Sequence, residues 1–225
     1  MIKQNQHKMK SISKKSIKKF GNFFREVAVV VLGVAITLSA SVWISNRNEK
    51  RDMALYLNAI KMELEENISI INESIEYLQP DAKYSAYLRT HDKKSLNADS
   101  IEYYASTCCY IINSFKFKTN AFEAFKISGI IRLLDDKELL LTIWDVYTGL
   151  DSQNESLKWY SDIKWGYMEK EIIFVEKGAL SSEKLTNGIP MYHFYITGLS
   201  RDVLKDCKNI LNDTKKTVSE LEKRK

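Results

Sequence analysis

The sequence predicts an all-α fold in which an N-terminal transmembrane helix continues into an elongated antiparallel helical bundle. Three observations predict it: an uncharged apolar run over Val27–Ser45, few turn residues after it, and apolar residues that recur at helical spacing. Residues 47–225 contain only six glycines and two prolines, too few for the many turns of an all-β domain. We therefore divide the chain into a basic tail (1–25), a transmembrane helix (26–46) and a helical domain (47–225).

The apolar run has the length of a membrane span. About 19 helical residues extend about 28 Å, which is close to the ~30 Å of bilayer hydrocarbon. A core helix of a soluble protein would show a polar face, and a cleaved signal peptide has an apolar region of only about 7–15 residues. Ser39-Ala40-Ser41 has the pattern of a cleavage site, but the run continues past it through Ile44. These features favour a membrane anchor over both alternatives.

Charge on the two sides of the run predicts its orientation. The first 25 residues hold eight Lys and Arg and no Asp or Glu, whereas the far side mixes both signs. Because positive charge is retained in the cytoplasm, the N-terminus is expected there and the helical domain outside. Abundant Lys, Asn and Ile are compatible with an AT-rich bacterial genome. In that case the membrane is an inner membrane, crossed once, and the domain is periplasmic.

The net charge of +5 is a property of the tail. The chain has 34 Lys and Arg and 29 Asp and Glu. Without the eight basic residues of the tail, 26 remain against 29, a net charge of −3, so no nucleic-acid partner is expected for the domain. The tail would instead attract anionic lipid head groups, at about 1 kcal/mol per residue near the surface. A disordered topology signal is the open alternative. Five of the eight basic residues are expected to face the lipid: Lys14, Lys15, Lys18, Lys19 and Arg25.

Small residues recur every four positions within the span, at Gly33, Thr37, Ser41 and Ser45. Faces of this kind let two membrane helices approach closely, so they predict a pairing face for a homodimer. The alternative is that small residues are simply common in membrane spans.

Two apolar stripes predict the helices that form the bundle. The first has steps of three and four residues, and it is interpreted as a wall of the domain's own core rather than as an intermolecular coiled coil. The last helix has the same spacing, with Ser200 as its N-cap, and is expected to pair antiparallel with the first. The first stripe is Met53, Leu57, Ile60, Leu64, Ile68, Ile71, Ile75 and Leu78; the second is Leu204, Cys207, Leu211, Thr214, Val218 and Leu221.

Shorter patterns fill the middle of the chain. We expect a loop over 80–98, a helix over 99–115 and a mostly helical segment over 155–177, with irregular structure over 178–199. Asn120 with Glu123 fits a capping box, and Asp135 with Glu138 fits a second one. Capping therefore explains the Asp135-Asp136 pair better than catalysis does.

Three cysteines, Cys108, Cys109 and Cys207, would face an oxidising compartment. One of the adjacent pair could bridge to Cys207 and close a loop of about 100 residues, stabilising the fold by up to ~4.7 kcal/mol. The alternative is that Cys108 and Cys207 are small buried apolar residues on helix stripes.

The polar residues form no recognisable catalytic pattern. The three histidines, His7, His91 and His193, lack metal-ligand spacing, and phosphate loops and nucleophile elbows are absent from the sequence. Neither a cofactor nor a metal is expected, and the chain is interpreted as a non-enzymatic interaction or scaffold module that self-associates or joins a membrane complex. A ligand-sensing bundle that signals through a partner is the alternative. Its pocket would use Trp159, Tyr160, Trp165, Tyr167, Tyr192, His193 and Tyr195, although an aromatic core explains them better.

Two stretches resemble one protein family. In "VVVLGVAITLSASVWISNRNEKR" and the acidic residue before it, Glu26, Val30, Gly33, Trp43 and Glu49 match in register, with Thr37 in place of alanine. In "NAFEAFKISGIIRLLDDKELLLTIWDVY", the matching positions are Ser128, Gly129, Asp136 and Leu139, with Ala124 and Phe125 in place of Glu-Leu. This resembles a domain-of-unknown-function family of gram-negative bacterial membrane proteins. The resemblance implies a single anchor and a helical extracytoplasmic domain, and it implies no activity or catalytic residues.

Overall fold

The chain is all-α, as predicted, in the part that the computed structural model describes, which is residues 2–91, 95–109, 111–176 and 191–224. Its five α-helices are α1 (Ile2–Thr90), α2 (Ala98–Tyr104), α3 (Asn120–Ile127), α4 (Lys137–Glu176) and α5 (Met191–Lys223). A π-helical turn (Ala105–Cys109) follows α2, and a 3-10 turn (Ile130–Leu133) follows α3. The contacts divide the chain into two units, Met1–Asp52 and Met53–Lys225.

The first unit contains the apolar run. Val27–Ser45 is helical throughout and its side chains are exposed. Within the described ranges, α1 is the one helix long and apolar enough to cross a membrane, with a mean hydropathy of 2.4 in its most apolar stretch, none of which is buried. Lipid is the solvent that suits such a surface, since a water-soluble protein rarely exposes so large an apolar patch.

The second unit is a three-helix bundle. Lys61 pairs with Glu222, and Tyr84 is hydrogen-bonded to His193, so α5 runs antiparallel to α1. Gln153 of α4 contacts Cys207 of α5. The antiparallel pairing predicted for the first and last helices of the domain is therefore confirmed.

The α1 stripe forms the core of this bundle. Ile60, Leu64, Ile71, Ile75 and Leu78 are buried, and Met53 and Leu57 pack partly buried against them. The interpretation as a wall of the domain's own core is confirmed. The α5 stripe is also confirmed, since it buries Leu204, Cys207, Thr214 and Leu221.

The loop predicted from residue 80 is wrong, because α1 continues through Pro80 to Thr90. A proline inside a helix removes one backbone hydrogen bond and costs about 3 kcal/mol. Beyond Pro80 the helix buries Tyr84 and Leu88, and each of these side chains gains roughly 1.5–3 kcal/mol from burial. Tertiary packing therefore outweighs the local penalty.

The helix predicted over 99–115 is wrong beyond Cys109. Residues 111–119 have no regular secondary structure and lie between α1 and α4. Asn67 of α1 receives a hydrogen bond from Lys118 N (2.7 Å) and donates one to Lys118 O (2.8 Å). Asn154 of α4 accepts from Phe117 N at 2.7 Å. Side chains of two distant helices thus replace the hydrogen bonds that a helix would have supplied.

The predicted N-caps are also corrected. The residue before α3 is Thr119, with no side-chain cap, and Glu63 of α1 accepts a hydrogen bond from Ala121 N instead (2.9 Å). At α4 the cap is Asp136 rather than Asp135, since Leu139 N donates to Asp136 Oδ1 at 2.9 Å. This supports capping as the role of that acidic pair.

Ser200 is the third predicted cap and it lies well inside α5. Its hydroxyl donates to Thr197 O, one turn earlier in the same helix, so Ser200 is not at a helix start. The helix begins nine residues earlier, at Met191. His193, Ile196 and Thr197 of that extra stretch are buried, so tertiary contacts extend the helix beyond the local signal.

Gly129 turns the chain between α3 and the 3-10 turn with φ 72°. We expect Gly129→Ala to lower the free energy of unfolding by about 1 kcal/mol, because an L side chain is strained in this left-handed region. Gly166→Ala is the matched control. It lies in the interior of α4 with open space at its Cβ, so it should stabilise the protein by up to about 1 kcal/mol. Urea unfolding of the full chain in detergent measures both, and shifts in the same direction would contradict the assignment.

Candidate functional site

A charged cluster lies inside the bundle. Lys164 Nζ of α4 is 2.8 Å from Asp81 Oδ2 of α1, and both side chains are almost completely buried. Tyr160 donates a hydrogen bond to the same carboxylate oxygen at 2.5 Å. The ammonium also lies 4.8 Å from the centre of the Tyr77 ring. The pair is therefore desolvated, hydrogen-bonded and held between two helices.

The spacing of residues along each of the two helices explains why Asp81 and Lys164 are buried. Asp81 follows Leu78 by three residues and lies on the buried face of α1, and Lys164 follows Tyr160 by four on the buried face of α4. Because a helix repeats every 3.6 residues, both charges must point into the core. This position on the apolar face is a signal in the sequence that was missed.

A second polar contact lies near the first. Tyr84 Oη and His193 Nδ1 are 2.8 Å apart, which joins α1 to α5. The Tyr84 ring stacks on Tyr104 of α2 with a centroid distance of 5.0 Å. Cys108 is buried against the same residues in a small separate cluster. This contact therefore joins three helices at the end of the bundle away from Lys61 and Glu222.

Burial is the largest cause of the pKa shifts of these groups, and it raises the pKa of the Asp81 carboxyl. Burial raises the pKa of the Cys108 thiol to about 11, and burial beside Asp81 raises the pKa of Tyr160 above its ordinary range. Burial lowers the pKa of His193 to about 4. Burial also lowers the pKa of Lys164, but the Asp81 carboxylate outweighs it and the pKa is raised. The cysteine and tyrosine keep their protons, the lysine remains charged and the histidine is neutral, so the arrangement is suited to joining helices.

His193 makes stability depend on pH. Its pKa is about 6.5 in the unfolded chain and about 4 in the folded one, so the unfolded state takes up a proton first as the pH falls. The contribution of neutral His193 to the free energy of unfolding is fully present above pH 6.5, and it is lost as the pH falls from 6.5 through 4. We expect about 2 kcal/mol of it to be lost between pH 7 and pH 5.

Urea midpoints of the wild type and of His193→Gln at the two pH values isolate this effect. The wild type should unfold at a lower urea concentration at pH 5 than at pH 7, and in His193→Gln the part of this difference that is due to His193 should be absent. His91→Gln is the control, because it removes an exposed histidine instead of the buried one. Equal pH dependence in the wild type and His193→Gln would refute the assignment.

Of the two predicted disulfides, the one between Cys108 and Cys207 is not formed. Cys108 and Cys207 are free and buried. They belong to different clusters, because Cys108 packs near Tyr84 and Cys207 receives a hydrogen bond from Gln153 (3.0 Å). Their role as small buried residues is the one the structure bears out. The side chain of Cys109 lies outside the described residues, so a bridge through it remains a prediction.

Among the aromatic residues predicted to line a pocket, those whose side chains the structure describes do not converge on one cavity. Trp159 and Trp165 are about half exposed on α4, whereas Tyr160 and His193 are buried in the two polar contacts. The side chains of Tyr167, Tyr192 and Tyr195 lie outside the described residues. A polar groove of about 260 Å³ between α4 and α5 contains none of this set. It is lined by Thr142, Asp145, Val146, Asp213, Lys216 and Thr217.

Three large apolar side chains are exposed near the end of the bundle that holds Tyr84 and His193. Tyr77 Oη donates to Ile111 O, and Ser161 Oγ donates to Asn113 O, each at 2.9 Å. Ile111 is therefore bound to α1, and Asn113, two residues later, is bound to α4 four residues before Trp165. Tyr103 of α2, which neighbours Tyr104, is also exposed. We call Tyr103, Ile111 and Trp165 the far-end surface.

The other residues predicted to have a functional role either are exposed on a helix or have side chains outside the described residues. In the span, Gly33, Thr37, Ser41 and Ser45 are exposed, and the Thr37 hydroxyl donates to Gly33 O at 2.8 Å. Arg25 is exposed, and the side chains of Lys14, Lys15, Lys18 and Lys19 lie outside the described residues. His91 bonds to Tyr87 O. No three metal-binding side chains converge among the residues that the structure describes.

Comparison with known proteins gives no match to a protein family, to a curated protein or to a solved structure. The resemblance in the span and around α3 therefore stays an expectation. Function has to be inferred from the chain's own geometry.

Proposed function

We propose that the protein is a membrane-anchored, non-enzymatic interaction module. Its basic tail lies in the cytoplasm against anionic lipid head groups, one helix crosses an inner membrane, and the bundle lies in the periplasm. There it binds a membrane or periplasmic protein, which includes a second copy of the chain. The orientation follows from the eight basic residues before the span.

The far-end surface is the observation that carries this proposal. Trp165 is 52% exposed, Tyr103 is 65% exposed and Ile111 is 46% exposed. Aromatic side chains are enriched where proteins bind each other, since they bury a large area at a small cost in conformational entropy. The buried polar groups, in contrast, are occupied with joining the helices.

Photocrosslinking in cells tests the proposal. A photoreactive residue replaces Trp165 in the full-length chain, and the control replaces Lys158, an exposed polar residue of the same helix. We expect adducts at Trp165 and few at Lys158. An adduct with twice the mass of the chain identifies self-association, and any other mass identifies a different partner. No adduct at Trp165, or equal adducts at both positions, would overturn the proposal.

A further inference from the structure

Two exposed stripes on the bundle helices α1 and α5 complement each other in their hydrogen-bonding groups. Each stripe alternates steps of four and three residues, so its side chains share one face of the helix. On α1 every side chain of the stripe carries an oxygen that accepts hydrogen bonds, and on α5 every one carries an N–H donor. The acceptor stripe is Glu65, Ser69, Asn72, Glu76 and Gln79, and the donor stripe is Arg201, Lys205, Lys208, Asn212 and Lys215.

The two stripes are in register along the bundle. The contacts of Lys61 with Glu222 and of Tyr84 with His193 align the antiparallel helices, so that residues 72–73 of α1, halfway between them, lie level with residues 207–208 of α5. Because both helices rise by about 1.5 Å per residue, the equal steps of the two stripes keep them level in both directions. The level pairs are Glu65 with Lys215, Ser69 with Asn212, Asn72 with Lys208, Glu76 with Lys205 and Gln79 with Arg201.

The charge of the donor stripe is not balanced within one chain. In the described ranges, its lysines and arginine form no salt bridge, and Glu65 of the acceptor stripe pairs with Lys61 of its own helix. The acidic residues of α5 lie on another side, since Asp213 lines the groove against α4. Asp206 and Asp202 precede Asp213 by seven and eleven residues and so share its side of the helix. Four positive charges therefore remain exposed along one face of α5.

A second copy of the chain carries the complement of both stripes. Around a two-fold axis parallel to the helices, α1 of each copy faces α5 of the other at the same height, and each contact occurs twice. A two-fold axis across the helices would instead place the donor stripes against each other, and their like charges would repel. We infer that the side of the bundle formed by the outer faces of α1 and α5 binds a second copy around the parallel axis. This goes beyond the proposed function, because it is a surface separate from the far-end surface and it has one partner.

Disulfide trapping between two full-length chains tests the contact. One chain carries Ser69→Cys and the other Asn212→Cys, each with its own affinity tag and with Cys109→Ser, since the other native cysteines are buried. The two chains are reconstituted together into vesicles and oxidised, and the disulfide that joins the two tags reports a contact between copies. We expect this mixed dimer, with a yield that falls as salt is added, because exposed charge pairs are screened. Thr148→Cys, an exposed position on α4, replaces Asn212→Cys in the control and should give little mixed dimer.

Charge reversal separates this contact from any other mode of self-association. Glu65→Lys with Glu76→Lys in the first chain sets lysines against the donor stripe, and it should lower the yield of mixed dimer severalfold. Lys205→Glu with Lys215→Glu in the second chain should then restore the yield, because every pair is reversed. No mixed dimer with the native charges, equal yields in all three combinations, or a loss that the second reversal leaves unchanged would overturn the inference. Photocrosslinking at the far-end surface reports a different contact, so the two proposals succeed or fail separately.

Discussion

Replacing Lys164 with alanine is expected to lower the free energy of unfolding by about 3–5 kcal/mol. The substitution leaves Asp81 buried beside Tyr160 with no cation to balance its charge. An uncompensated charge in the interior is penalised because water cannot solvate it. A loss of this size is a large part of the stability of a typical domain, about 5–15 kcal/mol.

Urea unfolding of the full-length chain in detergent measures this effect. The double variant Lys164→Met with Asp81→Leu should recover most of the loss, because an apolar pair can replace a buried ion pair at little or no cost. Lys118→Ala is the control, since its salt bridge with Glu66 is exposed and should contribute less than about 1 kcal/mol. Equal losses for Lys164→Ala and Lys118→Ala would contradict the buried ion pair.

Replacing Asn67 with alanine is expected to cost about 2–3 kcal/mol. The variant leaves the N–H and the C=O of Lys118 without the side chain that now binds both, in a part-buried position. Backbone groups left unsatisfied away from water cost about 1–3 kcal/mol each. Asn154→Ala should cost less, because only one of its two contacts, with Phe117 N, is short.

The two variants together should show coupling, since both release the same segment, residues 111–119. The control is Asn72→Ala on the exposed face of α1, where we expect a change within about 0.5 kcal/mol. Urea unfolding again gives the free energies. A loss for Asn67→Ala no larger than that for Asn72→Ala would show that these hydrogen bonds do not hold the segment.

The parts of the fold that were predicted correctly depend on local periodicity. Ile60, Leu64 and Ile71 in α1 and Leu204 and Cys207 in α5 repeat every three or four residues, and this spacing alone identifies the buried face. The apolar run of the span is an equally local signal. Pairing of the two stripes then follows because each must bury its face against another element.

The parts that were predicted wrongly depend on contacts across the fold. Pro80 indicates a helix end by local rules, and only the burial of Tyr84 and Leu88 explains why α1 continues. The irregular segment after Cys109 exists because Asn67 and Asn154 bind its backbone from two different helices. Neither asparagine is close to that segment in sequence, so no short window of residues contains the signal.

The candidate site shows the same division. Its buried ion pair could have been found, since Asp81 and Lys164 lie in register with apolar residues on their own helices. The position of Ile111 at this end of the bundle could not have been found, because it depends on where the segment 111–119 packs against α1 and α4.

The topology of the chain is the most direct test of the central claim, an anchored module outside the cytoplasm. Alkaline phosphatase, which is active only outside the cytoplasm, is fused after Lys225, and β-galactosidase, which is active only inside, is fused after Arg25. Both fusions should be active in a bacterial host, and the two reporters exchanged between these positions should be inactive. Active β-galactosidase after Lys225, with inactive phosphatase there, would place the bundle in the cytoplasm and contradict the account.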